Sequence, residues 1–267
     1  MIQIQIIRKM QKTQKIKASD IAEAIERFAP LATQAEWDNS GFTVGNPNAE
    51  VHKALIALNC SLEVVKEAVD CGCDMIITHH PLIVHKPCLS ILEGDVRSDT
   101  IMLAIRSGIT VYSSHTPLDR AKGGLNDIMA AKMGLKDCAP LSDGFGVVGK
   151  ISPVGADALI AKVKKAFGVS NVRTSSPLKG KISRVAVSSG GGQGSISEAI
   201  AMGAQVLLTG DVTHHNFYCP AGFMVVDLGH HFSELPAIEL LKSIVKKNFP
   251  TFALHLSEAD KSPIFYF

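Results

Sequence analysis

The residues whose types and spacing could do chemistry fall into four polar clusters. They are Thr78-His79-His80-Pro81, Ser113-Ser114-His115, Thr209-Gly210-Asp211 and Asp227-Leu228-Gly229-His230-His231, and each follows directly on a short apolar run. Neutral imidazole and carboxylate are the usual donors to zinc, manganese, iron and nickel. His230 and Glu234 stand at the i, i+4 spacing that stacks two side chains on one face of a helix. Asp119 adds a second carboxylate at the same spacing after His115. A continuing strand would point His79 and His80 to opposite faces. At a strand end before Pro81 the backbone can turn, and the pair can then reach two neighbouring ions. Three histidines and two carboxylates are few for two closed structural sites. They suit two adjacent ions that share a carboxylate and keep open positions for water or substrate. Each element alone has a plainer reading: a surface loop for the His-His pair, an exposed helix pair for His230 and Glu234. Their shared place at strand ends favours a metal site.

Short apolar runs at 54–58, 75–77, 109–112, 185–187, 206–208, 224–226 and 252–256 read as buried strands. Stretches at 62–69, 100–106, 195–202 and 235–246 read as helices. The alternation predicts an α/β fold with largely parallel or mixed sheets, and in open α/β sheets ligands sit beyond the carboxyl ends of strands. Residues 53–78 also overlay 184–209 without a gap. Glu67-Ala68-Val69 meets Glu198-Ala199-Ile200, Gly72 meets Gly203, and Met75-Ile76-Ile77-Thr78 meets Val206-Leu207-Leu208-Thr209. After a length difference, His115-x-x-x-Asp119 matches His230-x-x-x-Glu234. Two βαβ units share such patterns by chance, but the repeated His-to-carboxylate spacing favours two related α/β lobes, an internal pseudo-repeat with the site between them. The expected division is a loosely attached leader at 1–17, a first lobe at 18–134, a second at 135–234, and a helix and strand at 235–267 that return to the first.

The run Ser189-Gly190-Gly191-Gly192-Gln193-Gly194 lies between an expected strand and helix. Backbone amides of Gly190, Gly191, Gly192 and Gly194 could hold a phosphate there. The run lacks G-x-G-x-x-G spacing and any P-loop lysine, and a tight turn needing positive φ explains the glycines equally well. His52 and His255 read as core or edge packing, and His85 as lining a cavity or facing water. His214 and His215 follow the Asp211 turn, and one of them is expected to enter the pocket behind the ligands. Lys162, Lys164 and Lys165 read as a solvated helix face. There is no Gly-x-Ser-x-Gly elbow and no cysteine with an evident base partner, which argues against a nucleophilic side chain.

Of the 267 residues 46% are hydrophobic and 19% charged, which supplies a sizeable core and excludes global disorder. The 27 basic and 25 acidic side chains leave a formal charge of +2, without the basic excess of a dedicated nucleic-acid binder. No apolar run approaches the roughly 18–20 residues of a membrane span. The start alternates Ile and Gln and then turns Lys- and Gln-rich, lacking a secretory signal's apolar centre. Cys60, Cys71, Cys73, Cys88, Cys138 and Cys219 show no disulfide-framework spacing, so a reduced cytoplasmic setting is expected.

Several of these motifs occur together with Glu36-Trp37-Asp38-Asn39-Ser40-Gly41, Pro81-Leu82, Thr116-Pro117-Leu118 and Gly123-Gly124-Leu125-Asn126-Asp127. With His79-His80, His115 to Asp119, Thr209-Gly210-Asp211, His215 and Gly229-His230 to Glu234, they make a chain that resembles the GTP cyclohydrolase 1 type 2 homologues. These are also called Nif-three-like dinuclear-metal proteins, and the resemblance runs from about residue 17 to 267. It implies His79, His80, Asp119, His230 and Glu234 as ligands of two divalent metal ions per chain (zinc, iron, manganese or nickel), with Glu234 bridging. It implies that His115 and His215 line the same pocket, where either would shuttle protons. It also implies two-lobed α/β subunits assembled as a toroidal homohexamer whose metal sites face an internal cavity. The domain that longer members insert between the lobes is absent. Two positions depart from the pattern. Asn59 stands where Asp is common after the first strand, and Val147-Val148 replaces an Arg expected before Gly149, a change that would weaken binding of an anionic substrate.

The expected function is a metal-dependent hydrolase acting on a small, nucleotide-like molecule, with no membrane or nucleic-acid partner. The activity in the family's name opens the imidazole ring of GTP with water and releases formate. The expected alternative is non-catalytic: metal storage or delivery, or a ring-shaped scaffold for partner proteins.

Overall fold

The computed structural model describes residues 15–84 and 90–265. His85 and all but the end of the expected leader lie outside the described residues. The strands are β1 (Gly41–Val44), β2 (Lys53–Ala57), β3 (Met75–Thr78), β4 (Thr110–Ser113), β5 (Lys136–Pro140), β6 (Val147–Val154), β7 (Arg173–Thr174), β8 (Ile182–Val187), β9 (Val206–Thr209), β10 (Met224–Asp227) and β11 (Ala253–Leu256). They form two sheets, ordered β1-β4-β3-β2-β11 and β5-β6-β8-β9-β10-β7. The first has four parallel strands with β1 antiparallel at one edge, and the second combines parallel β8-β9-β10 with antiparallel β5, β6 and β7.

The helices are α1 (Ala18–Glu26), α2 (Leu62–Asp70), α3 (Val96–Arg106), α4 (Thr116–Arg120), α5 (Leu125–Lys132), α6 (Ala156–Phe167), α7 (Ile196–Ala201), α8 (His230–Glu234) and α9 (Pro236–Asn248). Strand alternation assigns each sheet two buried faces, which is why the parallel strands read as continuous apolar runs. Ala54 and Ile56 of β2 face α1 and α9, through Ile21, Ile25, Leu241 and Val245. Leu55 and Ala57 face α2 and α3, through Val64, Val65, Ile101 and Ala104. In the second sheet Val185 and Val187 pack on α5 and α6, while Ala186 packs towards Ala199 of α7. The C-terminal strand joins the first sheet, with Ala253–Leu256 in parallel register on Lys53–Ile56.

The internal repeat extends to individual hydrogen bonds. Asp74 accepts from the His52 and Lys53 amides at 2.7 and 3.1 Å, and Gln205 accepts from the Ser183 and Arg184 amides at 2.8 and 3.2 Å. The Asp74 amide donates to the Lys53 carbonyl and the Gln205 amide to the Arg184 carbonyl, both at 2.9 Å. Gly72 and Gly203 end α2 and α7 in matching left-handed turns. The two βαβ units are therefore built by the same local chemistry.

Four strands and several helices carried no signal in the apolar pattern. β1 begins at a glycine, β5 is largely exposed, β6 is interrupted by Gly149, Lys150 and Pro153, and β7 has only two residues. The helix expected at 100–106 begins at Val96, because Asp95 caps it by accepting from the Ser98 amide at 2.9 Å. No helix of the described residues is long and apolar enough to cross a membrane.

Candidate metal centre

β3 and β4 end in register, with Thr78 beside Ser113 and their hydroxyls 3.1 Å apart. The Thr78 hydroxyl also donates to the His80 carbonyl at 2.7 Å. That bond turns the chain after the strand, so His79 and His80 bring their rings to 4.9 Å of each other instead of pointing to opposite faces. The next strand end delivers His115, which precedes α4 and its buried Asp119. From the second sheet, β10 leads into α8, where His230 and Glu234 meet at i, i+4 spacing, Nε2 to Oε2 3.1 Å. The carboxyl ends of both sheets therefore meet at one cluster.

Glu234 is its centre. Oε2 lies 3.0 Å from His80 Nε2 and 3.1 Å from His230 Nε2, while Oε1 lies 3.5 Å from His79 Nε2. Asp119 Oδ1 stands 3.8 Å from His79 Nε2. The His115 ring centre is 5.2 Å from that of His79 and 5.3 Å from that of His80. Ligand atoms of His80, His230 and Glu234, and those of His79, His80 and His115, lie close enough together to hold a metal ion.

All four imidazoles are held from behind through Nδ1. His79 faces the Ser114 carbonyl at 2.9 Å, His80 faces Asn59 Oδ1 at 2.9 Å, His115 faces Asp38 Oδ1 at 2.9 Å and His230 faces Asp211 Oδ2 at 2.7 Å. Each partner is an oxygen, so each Nδ1 donates and each Nε2 is left towards the cluster, the arrangement by which proteins orient metal-binding histidines. Asp211 reaches His230 from a left-handed backbone, φ 51°, local strain of a kind concentrated at functional sites. His79 is fully buried and its Nε2 has no hydrogen-bond partner. An orphaned nitrogen of that kind, aimed at two carboxylates, fits a cation.

The charges of the cluster point the same way. Burial disfavours a charge on His79, yet Asp119 and Glu234 outweigh it and raise its pKa to about 9. Burial also opposes a charge on His230, and Glu234 and Asp211 raise its pKa to about 9. Burial lowers the pKa of His80 and raises that of Asp119. Burial opposes the charge of Glu234 as well, but His79, His230 and His80 hold its carboxyl well below the usual range. The buried carboxylates thus favour positive charge beside His79 and His230.

A cavity of about 480 Å³ opens over the cluster, lined by His80, His115, Asp119, His230 and Glu234 together with Trp37, Phe145 and the glycine run. Trp37 remains 59% exposed, edge-on to His115 at 5.6 Å. Gly190, Gly191, Gly192 and Gly194 all face this cavity. Two of their amides are engaged, however, Gly190 with the Ser233 hydroxyl and Gly192 with Thr209 Oγ1, both at 2.9 Å. A Cβ on Gly190 would strike Glu234, and one on Gly192 would strike Ser188. The glycines at these two positions let Glu234 and Ser188 approach the backbone, and within the run only Gly190 has the positive φ, 58°, of a tight turn.

His215 is not among the residues that line this cavity. It sits exposed in a short 3-10 turn (His214–Phe217), its ring against that of His214. His52 is not packed in core or edge either. Its side chain is 73% exposed near Glu50 and Asp74. His255 is half-buried and has a partner that sequence reasoning missed, Glu67 at 3.0 Å. Asn59 takes up His80, as described above. Val147 and Val148 are buried core residues of β6. No local sequence pattern marks Asp38, Ser114, Asp211 or Asn59 as anchors for the histidine rings. The five described cysteines are free.

The model of the DUF34/NIF3 (NGG1p interacting factor 3) family matches residues 16–263. A GTP cyclohydrolase 1 type 2 homolog of Clostridium perfringens is 33% identical over 243 residues, 87% of this chain and 92% of the relative. Another with the same description, from Methanocaldococcus jannaschii, is 36% identical over 239 residues, 87% and 96% of the two chains. Among solved structures, reduced HcgD from Methanocaldococcus jannaschii superposes with a TM-score of 0.80 at 33% identity, covering 91% of this chain and 98% of that one. A Bacillus cereus protein related to NIF3 superposes with a TM-score of 0.87 at 22% identity, covering 96% and 100%, a likeness of fold alone. From the match over nearly its whole length, the chain belongs to the DUF34/NIF3 family.

Proposed function

We propose that this chain holds two divalent ions bridged by Glu234 and hydrolyses a small, nucleotide-like substrate in the cavity above them. The observation that carries the reading is the convergence of four Nδ1-anchored imidazoles on Glu234 and Asp119, with His79 Nε2 buried and partnerless. The two Glu234 oxygens face different donors. Oε1 is turned to His79, beside Asp119, and Oε2 to His80 and His230. One ion would lie with each set.

When bound, such ions lower the pKa of a coordinated water and polarise the group under attack. His115 is the residue placed to accept and return a proton at Nε2, because Asp38 holds its Nδ1–H. Trp37 offers an exposed aromatic face to a flat ring, and a cavity of about 480 Å³ is within the usual size of small-molecule sites. GTP is the first substrate to test, since the curated relatives are described as GTP cyclohydrolase 1 type 2 homologs. The reading extends to a cytoplasmic toroidal homohexamer with the cavities facing inward.

A second reading, metal storage or delivery, draws on the partial exposure of the His80 and His230 side chains, 23% and 32%, which leaves an ion on that side open to exchange. Purified protein is assayed against a nucleotide panel beginning with GTP, as wild type and as Glu234→Ala. Turnover abolished in the variant, with its assembly unchanged, supports catalysis. Turnover that survives in the variant contradicts it. No turnover on the panel, with ready transfer of bound ion to an acceptor protein, supports delivery.

A further inference from the structure

Three of the four histidine anchors can face the ring only as acceptors. His79 meets a main-chain carbonyl, and His115 and His230 meet carboxylates. His80 alone meets an amide, Asn59. A side-chain amide has two faces of nearly equal shape, one accepting and one donating. Turned one way, Asn59 accepts the Nδ1–H of His80 and leaves the Nε2 lone pair free. Turned the other way, its NH2 would demand a lone pair at Nδ1 and place the proton on Nε2, where it would block a metal.

Asp260 removes that ambiguity. Its Oδ1 lies 3.1 Å from Asn59 Nδ2, and a carboxylate only accepts, so the amide must present NH2 to Asp260 and Oδ1 to His80. Asp260 is itself fixed, because its Oδ2 accepts from the backbone amides of Leu58 and, at 3.3 Å, Asn59. The Asp260 amide in turn donates to the Ser257 hydroxyl at 3.1 Å, and the Ser257 amide donates to the Ile56 carbonyl at 2.9 Å, continuing the pairing of β11 with β2. The C-terminal segment therefore reaches the cluster through one carboxylate.

We propose that Asp260 is a positioning residue that sets the tautomer of His80 through the amide of Asn59, and so makes its Nε2 a competent metal donor. The inference rests on the reading of His80 as a ligand. It assigns a role in the site to a segment remote from it in sequence, and it explains how an amide can serve where the other histidines use obligate acceptors.

The test is a double-mutant cycle on the full chain with Zn2+ as the probe, read as zinc affinity by chelator competition. Histidine 15N spectra of the zinc-loaded protein report the tautomer. Asp260→Asn keeps shape and can still accept from the Leu58 amide, but its NH2 drives Asn59 to turn. The expected result is zinc binding weakened by about tenfold or more, with the His80 Nδ1–H signal lost and that of His79 kept. In an Asn59→Asp background a carboxylate has no wrong orientation, so adding Asp260→Asn is expected to cost no affinity. If Asp260 merely tethers the C-terminal segment, its substitution weakens both backgrounds equally. An equal loss in both, or no loss in either, overturns the relay and leaves the metal reading standing. A wild type that takes up no Zn2+ overturns the metal reading and the relay with it.

Discussion

The Nε2 atoms of His80 and His230 stand 3.3 Å apart, brought together from the ends of strands in different sheets. Glu234 Oε2 faces both. Two imidazole nitrogens and a buried carboxylate oxygen at this separation are held together by a proton or by a cation.

The first expectation concerns metal removal. A cation that binds only the folded cluster stabilises the fold by mass action, about 2.7 kcal/mol at a free concentration 100 times Kd. For a chain of this size each kcal/mol is worth roughly 2–4 °C in Tm, so the expected shift is about 5–11 °C. Thermal unfolding with a strong chelator, and again after adding Zn2+, checks it. A Tm indifferent to both treatments counts against a metal in this cluster.

The glycine run separates into positions that tolerate a methyl group and positions that do not. Gly190 has φ 58° and its Cβ would strike Glu234, whereas a Cβ on Gly191 meets nothing within 4 Å. Gly190→Ala is expected to displace Glu234, with zinc affinity falling by about tenfold or more. Gly191→Ala is expected to change stability by no more than about 0.5 kcal/mol. Chelator competition and denaturant titration of the two variants decide the matter. Equal behaviour would mean that close approach at Gly190 is not what places Glu234.

Acid sensitivity follows from Glu67 of α2, which holds the segment 257–259. Burial opposes its charge, but hydrogen bonds from Ser257, Glu258, His255 and Ala259 outweigh it and hold its pKa at about 2. The unfolded carboxyl titrates near about 4.3. Because the folded value is depressed, this stability is complete above the unfolded pKa and is lost as pH falls from about 5 towards 2. Glu67→Gln is expected to cost about 2 kcal/mol at pH 7 and progressively less towards pH 3. Urea titrations at both pH values test this. A cost independent of pH would remove the carboxylate's charge from the explanation.

Trp37 is expected to matter for ligand and not for fold. It is exposed beside His115, so Trp37→Ala should leave Tm and metal content near wild type. Loss of an aromatic face is worth about 1 kcal/mol, which predicts KM or Kd for a purine nucleotide raised by roughly fivefold to tenfold. Unchanged affinity would place the ring of the ligand elsewhere in the cavity.

The candidate ligands were legible in the sequence because their signals are local. His79, His80 and His115 follow apolar strands, and His230 and Glu234 sit one helical turn apart. The repeat was legible for the same reason, since Gly72 and Gly203 mark the same turn at the same place. The anchors behind the ligands were not. Asn59 lies beyond the end of β2 and Asp260 beyond β11, and their meeting depends on the parallel pairing of those strands, which no periodicity announces. β5 and β7 were missed because exposed or very short edge strands carry no apolar run. His215 illustrates the reverse case, a histidine beside the right turn whose side chain faces solvent.

Metal content per chain, by elemental analysis of protein purified without a histidine tag, tests the central claim most directly. Wild type and His230→Ala are compared after reconstitution with Zn2+ and removal of the excess. The account predicts about two ions per wild-type chain and a sharp fall in the variant. A reconstituted wild type that holds none, or a His230→Ala protein that holds as much as wild type, would contradict it.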